Sequence, residues 1–218
     1  MKKIDKGTIL SKEYKDWWES DKVNYPKYDP HHRFYLQVKM SLLHCQNGLC
    51  AYTEKRLCSV ELCASENWNE EGKYANEKKT DGDVEHFDST KKTTGGWDWD
   101  NLFVTRKVVN NTKRASEVDN VLKPDMETYD PNNLEYDCSL HIFYVKRSIR
   151  NVAQLKKIKD MILTLGLNHD AVIDDRKEAF RKLKLILEFE NADYDYVVEN
   201  IIAEFPTVFE KCRSAYVH

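Results

Sequence analysis

The sequence has no long apolar run. None of its hydrophobic stretches approaches the ~20 residues needed to span a bilayer, so no membrane segment is expected. The basic opening, MKKIDKGTIL, is not followed by the apolar stretch of a signal peptide, and a cytoplasmic location is the resulting expectation. The six cysteines, Cys45, Cys50, Cys58, Cys63, Cys138 and Cys212, are too thinly spread for a secreted disulfide scaffold. In a reducing compartment they read as buried apolar side chains rather than metal ligands. Net positive charge is also missing. A formal charge of −3 excludes a broad electropositive face but not a local one, because phosphate contacts need charge only where the backbone passes. There is no repeat and no low-complexity segment.

What is present is an ordinary globular composition, 41% hydrophobic and 33% charged, over 218 residues, enough for one large domain or two small ones. Ser11 is a candidate N-cap for a helix reaching about residue 20, with Trp17 and Trp18 placed to pack. Pro26 and Pro30 mark a loop, and an apolar side over His31–Gln46 predicts a helix ended by Asn47-Gly48. Leu49–Leu62 suits a hairpin, and residues 64–82 read as a polar surface insertion. Asp83–Phe87 is a short strand, Trp97–Val104 a returning strand and Thr105–Ala115 a helix. Residues 116–139 are loop-like, with turns at Lys123-Pro124-Asp125 and Asp130-Pro131-Asn132-Asn133. A strand at Leu140–Val145 precedes helices at Asn151–Leu165, Asp170–Glu190 and about Asp193–Glu204, and a short helix follows Pro206. The expected class is α+β: a mainly helical protein around a small ββα core at 45–145, flanked by residues 1–44 and 146–218.

The chemistry concentrates between Asp81 and Arg114, DGDVEHFDSTKKTTGGWDWDNLFVTRKVVNNTKR. One-metal phosphodiester hydrolysis needs a base to activate water, a cation on the leaving oxygen and a group that holds the base. Histidine titrates near neutrality, which suits His86 to the first role. Glu85 would be an oxygen ligand, with Asp83 and Asp88 as alternatives. Asn101 could hold the loop that orients the imidazole, and Asn110 on the helix would be the second ligand, with Asn111 as the alternative. Such hard oxygen ligands favour Mg²⁺ or another divalent cation. Gly95 and Gly96 permit the sharp turn between His86 and the returning strand. Arg106, Lys107, Lys113 and Arg114 form a basic patch suited to phosphates, and Lys113 reads equally as a solvated helix residue.

These residues resemble HNH endonucleases of the PtuB type, the nuclease partners in Septu and related retron anti-phage systems. The resemblance rests on Ile4-Asp5-Lys6, Cys50-Ala51-Tyr52-Thr53-Glu54, Glu85-His86-Phe87, Trp99-Asp100-Asn101-Leu102 and Val109-Asn110-Asn111-Thr112-Lys113. It extends to Leu165-Gly166-Leu167-Asn168 with Arg176 downstream. It implies a ββα-metal nuclease core, an ABC-type, SMC-like ATPase partner of the PtuA kind, and a nucleic-acid target, DNA or tRNA. In retron-linked members a reverse transcriptase with its RNA–DNA joins the assembly. The family's two Cys-x-x-Cys pairs are reduced here to Cys50, the other positions being Thr53, Arg106 and Val109. No structural zinc is therefore expected, and apolar packing by Val104, Val108 and Val109 must hold the helix instead.

Bland readings stand beside these. Trp97 and Trp99 could stack on bases but are expected to pack in the core. The run Lys146, Arg147, Arg150, Lys156, Lys157 and Lys159 reads equally as a nucleic-acid track or a solvated face. After His169 seven basic residues face eleven acids, a poor nucleic-acid surface and a better one for core packing or docking the ATPase. A rival to the nuclease is a degenerate HNH fold kept as a binding subunit.

Overall fold

The structure, a computed structural model, describes the chain apart from residues 25, 77–79, 114, 115, 117, 191 and 218 and the side chain of Glu190. It is α+β, with two separate two-stranded antiparallel sheets among many helices. The described residues include no helix long and apolar enough to cross a membrane. The chain divides into two compact units: residues 4–51 with 57–118, and residues 1–3, 52–56 and 119–218. The 45–145 segment expected as a core is therefore shared between them. The N-terminal helices belong with the first hairpin, and the second hairpin belongs with the C-terminal helices.

In the first unit, α1 (Lys12–Asp21) starts at Ser11, whose hydroxyl accepts from the Tyr14 amide at 3.2 Å. Helix α2 (Tyr35–Cys45) begins four residues later than its apolar pattern suggests. Residues 29–34 are instead tied into a turn, with the Asp29 carboxylate accepting from the His31 amide at 2.8 Å. The expected hairpin at 49–62 is absent. Within it the Gly48 carbonyl accepts from both the Leu57 and Cys58 amides, at 2.8 and 3.2 Å. Strand β1 (Asp83–His86) pairs with β2 (Leu102–Thr105), placing His86 opposite Leu102 and Glu85 opposite Phe103. The returning segment is thus a strand only in its second half, because Trp99–Asn101 forms a 3₁₀ turn. Helix α3 (Lys107–Lys113) follows β2 directly and packs on β1. Tyr14, Phe34, Val38, Leu42, Trp97 and Val104 are among the fully buried residues of one core joining α1, α2 and the hairpin.

In the second unit, β3 (Leu134–Asp137) pairs with β4 (Ile142–Val145), so a strand stands where loop was expected. Helix α4 (Val152–Thr164) is capped by Asn151 and closed by Gly166 at φ +61°. The Asn168 side chain then bonds both the amide and the carbonyl of Phe143, at 2.8 and 2.7 Å, fixing the end of α4 to β4. Helix α5 (Asp170–Glu190) has the expected bounds. The next helical segment is split into α6 (Tyr194–Tyr196) and a π-helical stretch, Val197–Ile202, before α7 (Pro206–Cys212). Two cysteines depart from the thiol reading: Cys138, in the β3–β4 turn, is disulfide-bonded to Cys212 at the end of α7. Cys45, Cys50, Cys58 and Cys63 are outside any disulfide and are buried or half-buried.

Candidate active site

His86 ends β1 and is 4% exposed. Its Nε2 lies 2.8 Å from the carbonyl oxygen of Gly96, in the turn before β2. A carbonyl can only accept, so Nε2 carries the proton and Nδ1 keeps its lone pair. Burial is the main cause of a pKa lowered to about 4, against the opposing effect of the Gly96 bond and with smaller help from Lys92 and Lys113. The ring is therefore neutral at pH 7, the state a general base needs.

The edge of Tyr28 meets the His86 ring, with centroids 4.6 Å apart and planes at 86°. Trp97, fully buried, packs against Tyr28 with ring centroids 5.0 Å apart and planes tilted at 41°, and donates from Nε1 to the Lys27 carbonyl. A methyl on Gly96 would lie 2.8 Å from the Tyr28 amide nitrogen and 2.9 Å from the Lys92 carbonyl, so glycine is needed for this close approach. The loop of Tyr28 is thus set against the Gly96 turn by its backbone and against the imidazole by its ring.

Asn101 bonds backbone beyond His86, while the imidazole is bonded to Gly96. The Asn101 Oδ1 accepts from the Asp88 amide at 2.8 Å and its Nδ2 donates to the Asp88 carbonyl at 2.9 Å. It pins the segment two residues beyond the imidazole. The turn that carries Asn101 is held by Lys6, whose buried ammonium donates to the carbonyls of Trp99 and Leu102 on either side of it and lies 4.3 Å above the Phe103 ring. The Ile4-Asp5-Lys6 start thus has a physical role at the site. The Trp99 indole donates to the Lys6 carbonyl at 2.9 Å, and both Trp97 and Trp99 are packed in the core rather than presented for stacking.

Glu85 and His86 are neighbours on a regular strand and project from opposite faces of the hairpin. Glu85 faces α3. Its Oε1 lies 2.5 Å from Nζ of Lys113, and the same ammonium donates to the His86 carbonyl at 2.7 Å. The two side chains are 2% and 1% exposed. Lys113 is therefore an internal residue here, not a phosphate contact on the surface. Asn110 is half-buried on α3, with no side-chain hydrogen bond to Glu85. Of the other basic residues, Lys107 is exposed and Arg106 half-buried. Arg114 lies outside the described residues. Of the alternative acids, Asp88 has its carboxylate turned to Thr90, which holds its pKa below the usual range.

These donors do not fit a divalent cation at Glu85. The carboxylate is already neutralised by an ammonium at contact distance. Among the described residues no group of three or more His, Cys, Asp and Glu side chains is poised for a metal. At the zinc position implied by the resemblance, Cys50 Sγ instead accepts from the Arg106 amide at 3.4 Å, and Val109 is fully buried. The Gln46 amide adds a second brace, bonding both the amide and the carbonyl of Val104 at 2.9 and 2.8 Å.

Sequence reasoning assigned no role to Tyr28, Lys6 or Gln46. Lys6 was legible only as a position in a pattern, and nothing local marks Tyr28 as the neighbour of a histidine beyond residue 80. No protein-family model matches the chain, and no curated protein matches it either.

Proposed function

We propose that the chain is a nuclease of the HNH kind, cutting phosphodiester bonds in nucleic acid as the effector of an anti-phage system with an ABC-type ATPase partner. One observation carries the reading: a buried, neutral His86 whose proton is fixed on Nε2 by the Gly96 carbonyl, at the end of a hairpin that runs straight into a helix. In the reaction, water adds to phosphorus while Nδ1 takes its proton, and the bond from phosphorus to the leaving oxygen breaks. The Gly96 carbonyl steadies the imidazolium that forms. Asn101 holds the loop beyond the base through Asp88, and Lys6 braces the turn around Asn101 through the Trp99 and Leu102 carbonyls. Lys107, exposed on α3, is placed to meet phosphate. A divalent cation, implied by the resemblance, would supply charge at the leaving oxygen; Glu85, engaged by Lys113, is not its ligand. DNA and tRNA are both substrates consistent with such a site.

A second reading is favoured by the same burial. His86 is covered by Tyr28 and Glu85 is held by Lys113, the arrangement expected of an HNH fold retained as a binding subunit of the ATPase complex. His86→Ala separates the two. In a cleavage assay on plasmid DNA and total tRNA, with the ATPase present, the substitution should lower the rate by ~10²-fold or more. Undiminished cleavage or defence by the variant would sink the catalytic reading. Sequencing the broken nucleic acids then assigns the substrate.

A further inference from the structure

Glu85 is a carboxylate almost wholly removed from water, and an isolated buried charge is too costly to persist. Some cation must accompany it, and the chain supplies its own. Lys113 comes from the last turn of α3, 28 residues away in sequence, and its ammonium is shared between Glu85 Oε1 at 2.5 Å and the His86 carbonyl at 2.7 Å. We infer that Lys113 is the resident cation of this site and a positioning residue for His86, and that Glu85 takes no divalent metal while Lys113 is in place.

A magnesium ion demands six oxygen ligands at 2.0–2.1 Å, and the position beside Oε1 is filled by a nitrogen that offers only donors. Two cations cannot share that place. Expelling Lys113 would also strip a donor from the His86 carbonyl and remove a buried link between α3 and β1. The pair therefore does structurally what a metal bridging strand and helix would do. This holds whether or not His86 is a catalytic base.

The test reads metal binding rather than activity. In protein labelled with ¹⁵N-lysine, the Lys113 side-chain resonance should stay in place as MgCl₂ is raised to ~10 mM, a range in which weak oxygen sites fill. Mn²⁺ titrations followed by electron paramagnetic resonance should give the same binding for wild type and Glu85→Gln. Lys113→Met should gain a Mn²⁺ site at least ~10-fold tighter than any in the wild type, lost again in the Glu85→Gln/Lys113→Met double variant. A wild-type Mn²⁺ site that Glu85→Gln removes would overturn the inference. So would a Lys113 resonance displaced by magnesium, or a folded Lys113→Met protein that gains nothing. Should Lys113→Met fail to fold, the wild-type resonance decides alone.

Discussion

Asn101 and Asp88 are joined by two hydrogen bonds between one side-chain amide and one residue's backbone, at 2.8 and 2.9 Å. The amide is 3% exposed, so no water stands ready to replace it. Asn101→Ala leaves a backbone donor and a backbone acceptor of Asp88 without their partner, which should cost ~1–3 kcal/mol in urea unfolding. Hydrogen exchange at the Asp88 amide should rise more than at Val84 in the middle of β1. If both amides accelerate equally, the asparagine is not a local pin. Asn101→Asp keeps the acceptor but faces an oxygen to the Asp88 carbonyl, so it should not restore stability.

Gly96 and Gly95 make a matched pair for testing how tightly the turn is set against Tyr28. At Gly96 an added methyl meets the Tyr28 amide nitrogen, the Lys92 carbonyl and the Tyr28 Cβ, all within 2.9 Å, whereas at Gly95 the nearest atom is Asp98 Cβ at 3.4 Å. Gly96→Ala should destabilise by ~1–3 kcal/mol through overpacking, since two of its obstacles are backbone. Gly95→Ala should stay within ~0.5 kcal/mol of wild type. Equal effects in thermal unfolding would mean that Tyr28 does not rest on the turn.

Much of the frame was legible because it is written locally. Ser11 and Asn151 cap the helices they precede, and the apolar rhythm of α5 gives its bounds over 21 residues. The four residues of β3, LEYD, are too few to show a period, and their burial depends on β4, which comes later. The same limit applied at the site. His86, Asn101 and α3 follow from spacing, but a lysine in a basic helix reads as solvated until the fold shows which carboxylate it meets. Lys113 finds Glu85 only because α3 crosses back over β1. Disulfide pairing is similarly invisible: Cys138 and Cys212 stand 74 residues apart with no motif around either.

His86 should make the first unit sensitive to mild acid. In the unfolded chain its imidazole binds a proton below pH ~6.5, whereas in the folded protein burial lowers the pKa to about 4. Between those values the unfolded state holds more protons, so stability is fully present above pH ~6.5 and falls as pH drops toward 4. The shift corresponds to about 3 kcal/mol across the window. Urea unfolding of wild type and His86→Gln at several pH values should show their stability difference shrinking by about that amount from pH 7 to 4. A difference that does not change with pH would show that His86 is not held neutral by burial.

The Cys138–Cys212 bond ties the β3–β4 turn to α7 and closes a loop with a sequence separation of 74. Loop-closure entropy alone sets its contribution at ~4.4 kcal/mol, and native strain or residual order in the unfolded chain lowers that figure. Cys212 is 1% exposed and Cys138 half-buried, so Cys138→Ser is the gentler way to remove the link. Reductant should destabilise the wild type, leave Cys138→Ser unaffected, and bring the two to the same stability. Alkylation of the unfolded, unreduced protein should then modify four of the six cysteines, the two in the bond being protected. Six modified cysteines before reduction would show that the bond does not form, and stability would then be indifferent to reductant.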